Sequence, residues 1–151
     1  MQGIDEELKQ ELITDAVDNE EKVVDFGEEK KRRKAFHIWT VGDNEYKLKL
    51  STSNICMLEE KYKRNLLDLV SMGSIPPLNI MLTIIQAAML PWHHGIKYKA
   101  VQNIYERYVE EGGSQTDLVS NVLMPTLAVS GFFTPDQAES MEEKLQEESL
   151  L

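Results

Sequence analysis

The sequence predicts a mostly α-helical fold with a small N-terminal β-hairpin, an α+β domain preceded by a flexible acidic arm. Three observations carry that expectation. Two short runs of alternating residues flank "GDN" at 42–44. The most apolar run of the chain, "LNIMLTIIQAAML" at 78–90, confines its polar members to one stripe. Between and after these, serine, threonine, proline and glycine punctuate the chain at helical lengths.

Charge sets the organisation. Residues 1–29 carry eleven acidic side chains against two basic ones, residues 30–34 read KKRRK, and the chain turns acidic again from Thr134. Residues 35–133 are nearly balanced and hold every aromatic residue except Phe26. These shifts predict a polar arm with a basic linker at 1–34, a hairpin plus helical core domain at 35–133, and a charged C-terminal helix at 134–151. Within the arm, Ile4, Leu8 and Leu12 recur every fourth residue, with Ile13, Ala16 and Val17 close by. That spacing suits a short amphipathic helix that forms on docking and covers a partner site until the partner displaces it.

The domain opens with "AFHIWTVGDNEYKLKL". Gly42, Asp43 and Asn44 tolerate the positive φ angles of hairpin turns. In the second run Tyr46, Leu48 and Leu50 alternate with Lys47 and Lys49, giving one apolar and one solvated face. Phe36, Ile38 and Thr40 are the expected matching face of the first strand. A lone hairpin is marginal in water, so helices must cover it.

Helices follow. Ser51, Thr52 or Ser53 serves as N-cap for "STSNICMLEEKYKRN", with Ile55, Leu58 and Tyr62 on one face and Asn65 as a left-handed stop. "LLDLVSM" makes a short continuation. In the apolar run, Asn79, Thr83 and Gln86 fall at i, i+4 and i+7, and the rest of the circumference is Leu, Ile, Met and Ala. This predicts a helix buried on most of its surface, with Pro77 in its first turn and Pro91 as its stop. Tyr98, Val101, Tyr105 and Tyr108 mark the next helix, up to "EEGG" at 110–113. Ser114 with Asp117 resembles a capping box, and Pro125 predicts a kink in the helix that follows. Thr134, Pro135 and Gln137 supply N-cap, N1 proline and N3 glutamine for the last helix, whose apolar stripe is Ala138, Met141 and Leu145.

Several function classes are disfavoured. A net charge of −10 opposes general nucleic-acid binding. The apolar run is too short for a bilayer, which needs about 20 apolar residues, and the acidic start has no apolar block of a secretory signal. The single Cys56 permits no intramolecular disulfide, and its apolar helical setting predicts a buried, inert thiol. His93 and His94 are adjacent and so diverge, His37 lies far upstream, and no metal site is expected. There is no phosphate-binding glycine loop and no nucleophile elbow, Glu59-Glu60 and Glu110-Glu111 read as helix-surface acids, and no enzyme or cofactor is expected.

What remains is an interaction protein. Apolar helix faces have two readings, core and groove for a partner's apolar helix, and methionine suits both. On the groove reading, Met81, Ile85, Met89, Trp92, Phe132 and Phe133 are the candidate partner-binding residues. KKRRK likewise has two: a solvated linker that neutralises the acidic arm, or the basic contact of a small nucleic-acid-associated regulator.

The order "YKLKLSTSNICMLEEKYKRNLLDLV", "IPPLNIMLTIIQAAML", "YERYVEEGGS" and a helix running into "SGFF" resembles the tail assembly chaperones of long-tailed bacteriophages and prophages of Gram-positive bacteria. The likeness covers about residues 45–133, and neither terminus matches. It implies a non-enzymatic, mostly helical protein of the host bacterial cytoplasm, absent from the mature virion. Such proteins bind and solubilise the helical tape measure protein and help recruit tail tube subunits, and self-association is compatible with a groove that accepts apolar helices. Many are also made in an extended, frameshifted form.

Overall fold

The computed structural model describes residues 32–71 and 75–150, and the chain divides into Met1–Arg32 and Arg33–Leu151. The expected amphipathic segment at 4–17 and the first half of KKRRK lie outside the described residues. The unit Arg33–Leu151 includes the charged C-terminal helix.

Its elements run β1 (His37–Val41), β2 (Asn44–Leu48), α1 (Thr52–Tyr62), α2 (Leu66–Ser71), α3 (Leu78–Met89), α4 (Tyr98–Glu110), α5 (115–129) and α6 (Pro135–Leu150). The mostly helical α+β class is as expected. In α5, a first turn Gln115–Asp117 leads into a π-helical stretch Leu118–Leu123 and returns to α-helix at Met124–Val129.

The hairpin turn overturns one expectation. Val41 pairs directly with Asn44, so the loop is the two residues Gly42-Asp43, and the register runs Trp39 to Tyr46 and His37 to Leu48. A three-residue loop would have placed Phe36, Ile38 and Thr40 opposite Leu50, Leu48 and Tyr46. Shortening it by one residue flips every side chain of β1 to the other face. The inward face is therefore Trp39 and Val41, both buried, while Ile38 and Thr40 are exposed.

The helix signals resolve as follows. Ser51 is the α1 N-cap, its Oγ accepting from the Asn54 N–H at 3.1 Å. Asn65 does not stop α1; Lys63 takes the left-handed position at φ 54°. Asn65 instead starts α2, its Oδ1 accepting from the Leu67 N–H at 2.8 Å, a role asparagine fills well because its short side chain mimics a backbone turn. The last helix has a complete capping box: the Gln137 N–H donates to Thr134 Oγ1 at 3.1 Å and the Thr134 N–H to Gln137 Oε1 at 2.9 Å. At the end of α4, Gly112 (φ +106°) and Gly113 return N–H groups to Val109 and Tyr108 in a Schellman motif. "SGFF" is the same device at the end of α5: Gly131 (φ +101°) bonds Ala128, and the Phe132 N–H bonds Leu127.

The core lies around α3. Met81, Ile84, Ile85, Ala88 and Met89 have no exposed surface, and β2, α1, α4 and the π stretch of α5 pack on different sides of the helix. Along its polar stripe Asn79 is exposed and Thr83 and Gln86 are half-buried: Thr83 donates back to the Asn79 carbonyl at 2.7 Å, and Gln86 Nε2 donates to the Ile96 carbonyl at 3.1 Å.

Two substitutions test this arrangement in thermal unfolding. Ile85→Ala is expected to cost about 2–5 kcal/mol, because the cavity opens where all sides are packed. Gly42 sits at φ +63°, and a Cβ there would come within 2.5 Å of the Arg107 guanidinium. Gly42→Ala is expected to cost about 1–2 kcal/mol from the backbone strain. A core that tolerates Ile85→Ala with an unchanged Tm would contradict the packing described.

Candidate functional site

Prolines decide where the fold needs polar side chains. Pro91 has no N–H for the carbonyl four residues earlier, that of Ala87. The Leu90 N–H donates to it at 3.3 Å, Asn54 of α1 adds a second donor, its Nδ2 also at 3.3 Å, and the Lys49 N–H takes the neighbouring Ala88 carbonyl at 3.0 Å. Pro125 likewise leaves the Asn121 carbonyl unpaired, and the π-helical stretch accommodates its ring. His37 of β1 donates from Nε2 to that carbonyl at 2.9 Å. The bond fixes the neutral tautomer with the proton on Nε2 and ties the hairpin to α5.

Serine and threonine continue the chain of bonds. The Leu50 N–H donates to Ser130 Oγ at 2.9 Å, Ser130 Oγ donates to the Thr126 carbonyl, and buried Thr126 Oγ1 donates to the Val122 carbonyl, both at 2.6 Å. Each side chain here satisfies backbone groups.

The acids at 110–111 are less ordinary than the sequence suggests. Glu111 accepts from the Gly42 N–H at 2.8 Å and from Arg107 Nε at 2.9 Å, clipping the hairpin turn to the end of α4. These two bonds hold its carboxyl below the usual range, the Gly42 bond contributing most. Glu59 caps α2, accepting from the Leu66 N–H at 2.9 Å. Nothing in the local sequence announces either partner, because both lie in other elements or across a turn.

The basic run is partly spent. Arg33 donates to the carbonyls of Ala128 and Phe133, and Lys34 lies 3.6 Å from Glu142. Arg33 therefore caps the α5 C-terminus, where cations are favoured by the helix dipole.

The expected partner-binding residues separate into three groups. Met81, Ile85 and Met89 are enclosed, with no exposed surface, and in this conformation reach no partner. β2, α1, α4 and the π stretch of α5 all pack on the helix that carries them. Phe132 and Phe133 are half-buried against the core, as C-cap residues with an apolar contact. Trp92 is 38% exposed and packs edge-on against Phe36, ring centroids 5.6 Å apart. Cys56 is exposed rather than buried: Ile55 and Leu58 take the inward face of α1, and a step of one residue turns Cys56 outward.

The histidines do not converge. His93 lies against Tyr46, His94 contacts the Pro91 carbonyl, and His37 of β1 bonds the Asn121 carbonyl of α5. No group of three or more His, Cys, Asp or Glu side chains capable of holding a metal ion is formed among the described residues.

The apolar surface missed by sequence reasoning is the outward face of the hairpin. Ile38 is 41% exposed opposite Lys47, whose Nζ stands 4.9 Å from the centroid of the Phe36 ring. With Trp92 these residues form a small aromatic and aliphatic face carrying Lys47 and Lys49. The signal was the turn length; a two-residue loop from the outset exposes Phe36 and Ile38.

Burial of the His37 ring, outweighing its bond to Asn121, lowers its pKa from the ordinary 6.5. A depressed folded pKa means the unfolded chain takes up the proton first, so stability is full above about pH 6.5 and falls as pH drops through that value. The melting temperature is therefore expected to fall between pH 7.5 and 5.5, above the main carboxylate range. His37→Gln, which keeps a donor and cannot titrate, is expected to flatten that slope. A slope identical in the variant would assign it elsewhere.

Comparison with curated proteins returns no match, and comparison with solved structures returns none either. The match that does appear runs over residues 30–150, from the basic run through α6, and by it the chain belongs to DUF6096, a family of unknown function.

Proposed function

We propose that this protein is a non-enzymatic tail assembly chaperone of a long-tailed phage or prophage, binding and solubilising a helical tape measure protein and helping recruit tail tube subunits. The observation that carries the proposal is the order of its elements. The quoted stretches that resemble the tail assembly chaperones correspond in sequence to β2 with α1 and α2, then α3, then α4, then α5 with its glycine stop. They are the elements that pack around a single apolar helix, so the resemblance extends over one interdependent core.

Two further points support a binding module. The polar side chains with cross-element bonds are occupied in satisfying the backbone, as with Asn54, His37, Ser130 and Thr126. A net charge of −10 keeps a complex with a hydrophobic client dispersed. No described helix is long and apolar enough to cross a membrane. Action in the host cytoplasm and absence from the finished virion belong to the same proposal, as does any self-association. The regulator reading is weaker, since Arg33 and Lys34 are engaged at the α5–α6 junction.

The test is co-expression with the tape measure protein encoded by the same phage or prophage, followed by affinity capture at high salt. Burial of apolar surface survives salt, whereas phosphate contacts do not. A soluble, co-eluting tape measure protein is expected. A tape measure protein that stays insoluble, with nothing co-eluting, would contradict the proposal.

A further inference from the structure

From the outward face of the β1–β2 hairpin, extended by Trp92, we infer a docking surface for an amphipathic helix with an acidic rim. The inference rests on the chaperone reading for its biological client, and the physical claim about the face is testable without it.

The argument begins with composition. Ile38 at 41% and Trp92 at 38% are two of the five exposed large apolar side chains among the described residues, and Phe36 is in contact with Trp92. Strand alternation puts Phe36, Ile38 and Thr40 on one face of β1, and the register sets Lys47 opposite Ile38 and Glu45 opposite Thr40. Lys47 and Lys49 are exposed, and no carboxylate among the described residues forms an ion pair with either. Glu45 is the one acid of this face and lies toward the turn. In a chain with a net charge of −10, the apolar face thus carries positive charge at its Trp92 end.

That combination selects the occupant. An apolar stripe fits Phe36, Ile38 and Trp92, and glutamates or aspartates flanking it meet Lys47 and Lys49. Nucleic acid fits less well. One face of the Phe36 ring is covered by Lys47 and its neighbour Trp92 meets it edge-on, so these rings offer no open stacking platform. A second copy docked face to face also fits less well, because the same face offers Glu45 as its one acid against Lys47 and Lys49.

The experiment uses the full chain and two synthetic helical peptides that share a leucine face, one with glutamates and one with lysines on the polar face. Trp39 is 3% exposed and Trp92 is 38% exposed, so acrylamide quenching reports on Trp92. The glutamate peptide is expected to shield Trp92 with a preference of roughly tenfold or more over the lysine peptide. Reversing both charges, Lys47→Glu with Lys49→Glu, is expected to abolish that preference. Ile38→Ser is expected to weaken binding roughly tenfold at an unchanged Tm, since the side chain is largely exposed. Equal shielding by both peptides, or shielding indifferent to Ile38→Ser, overturns the inference. So does shielding that grows with chain concentration alone, which indicates a second copy, or shielding by oligothymidine, which indicates nucleic acid. The two claims fail separately. If Ile38→Ser retains the tape measure protein as well as wild type, the face is wrong and the chaperone reading stands. If the peptide binds and the tape measure protein does not, the face stands and the client is different.

Discussion

A twelve-residue helix enclosed on most of its circumference is the constraint on which the domain depends. Leu78–Met89 is hydrophobic around nearly all of its surface, and no single neighbour can cover it. A helix stripe, a second helix, a strand pair and a π-distorted segment are each brought against a different side. Because α3 needs all four, the hairpin cannot be dispensable decoration. It is the lid on one side of the core, and a lone hairpin gains its stability from that contact.

Enclosure has a second consequence, for the backbone. A buried carbonyl must find a donor. Pro91 and Pro125 each lack the N–H that a carbonyl four residues earlier would take, Ala87 at the end of α3 and Asn121 in α5. Asn54 and His37 reach from α1 and β1 to take them. The polar side chains with cross-element bonds therefore act as structural fasteners in the fold. Trp39 marks where this accounting is incomplete: its indole N–H is the one buried side-chain polar atom without a hydrogen-bond partner among the described residues. Its ring is held edge-on by Tyr108, whose phenol burial pushes its pKa up to about 12.

Local rules made much of this legible in advance. The caps at Ser51, Ser114 and Thr134, the glycine stops after α4 and α5, and the prolines bounding α3 all act within four residues of themselves. Such signals depend on backbone geometry alone. Misreadings arose where a distant partner decided the outcome. Taking Asn44 into the loop changed the β1 face by one residue and hid the outward placement of Phe36 and Ile38 beside Trp92. Cys56 sits one helical step from the inward face, a distinction that periodicity alone cannot make when both neighbours are apolar. Glu111 became a turn clip only because α4 ends beside Gly42. Met81, Ile85 and Met89 fit both an apolar groove and an apolar core in composition, and their complete burial is visible in the fold alone.

This separation between structural interior and exposed face shapes the functional account. If α3 is permanently enclosed, a client must be met on the outside, and the interior methionines serve packing alone. If α3 opened readily, its apolar surface would itself be the binding site. Native-state hydrogen exchange of the free protein decides between these. The account predicts that amides of Leu82, Ile84, Ile85 and Ala88 exchange only by global unfolding, with an opening free energy equal to that from denaturant titration. Exchange of those amides through a local opening of clearly lower free energy, while α4 stays protected, would contradict it.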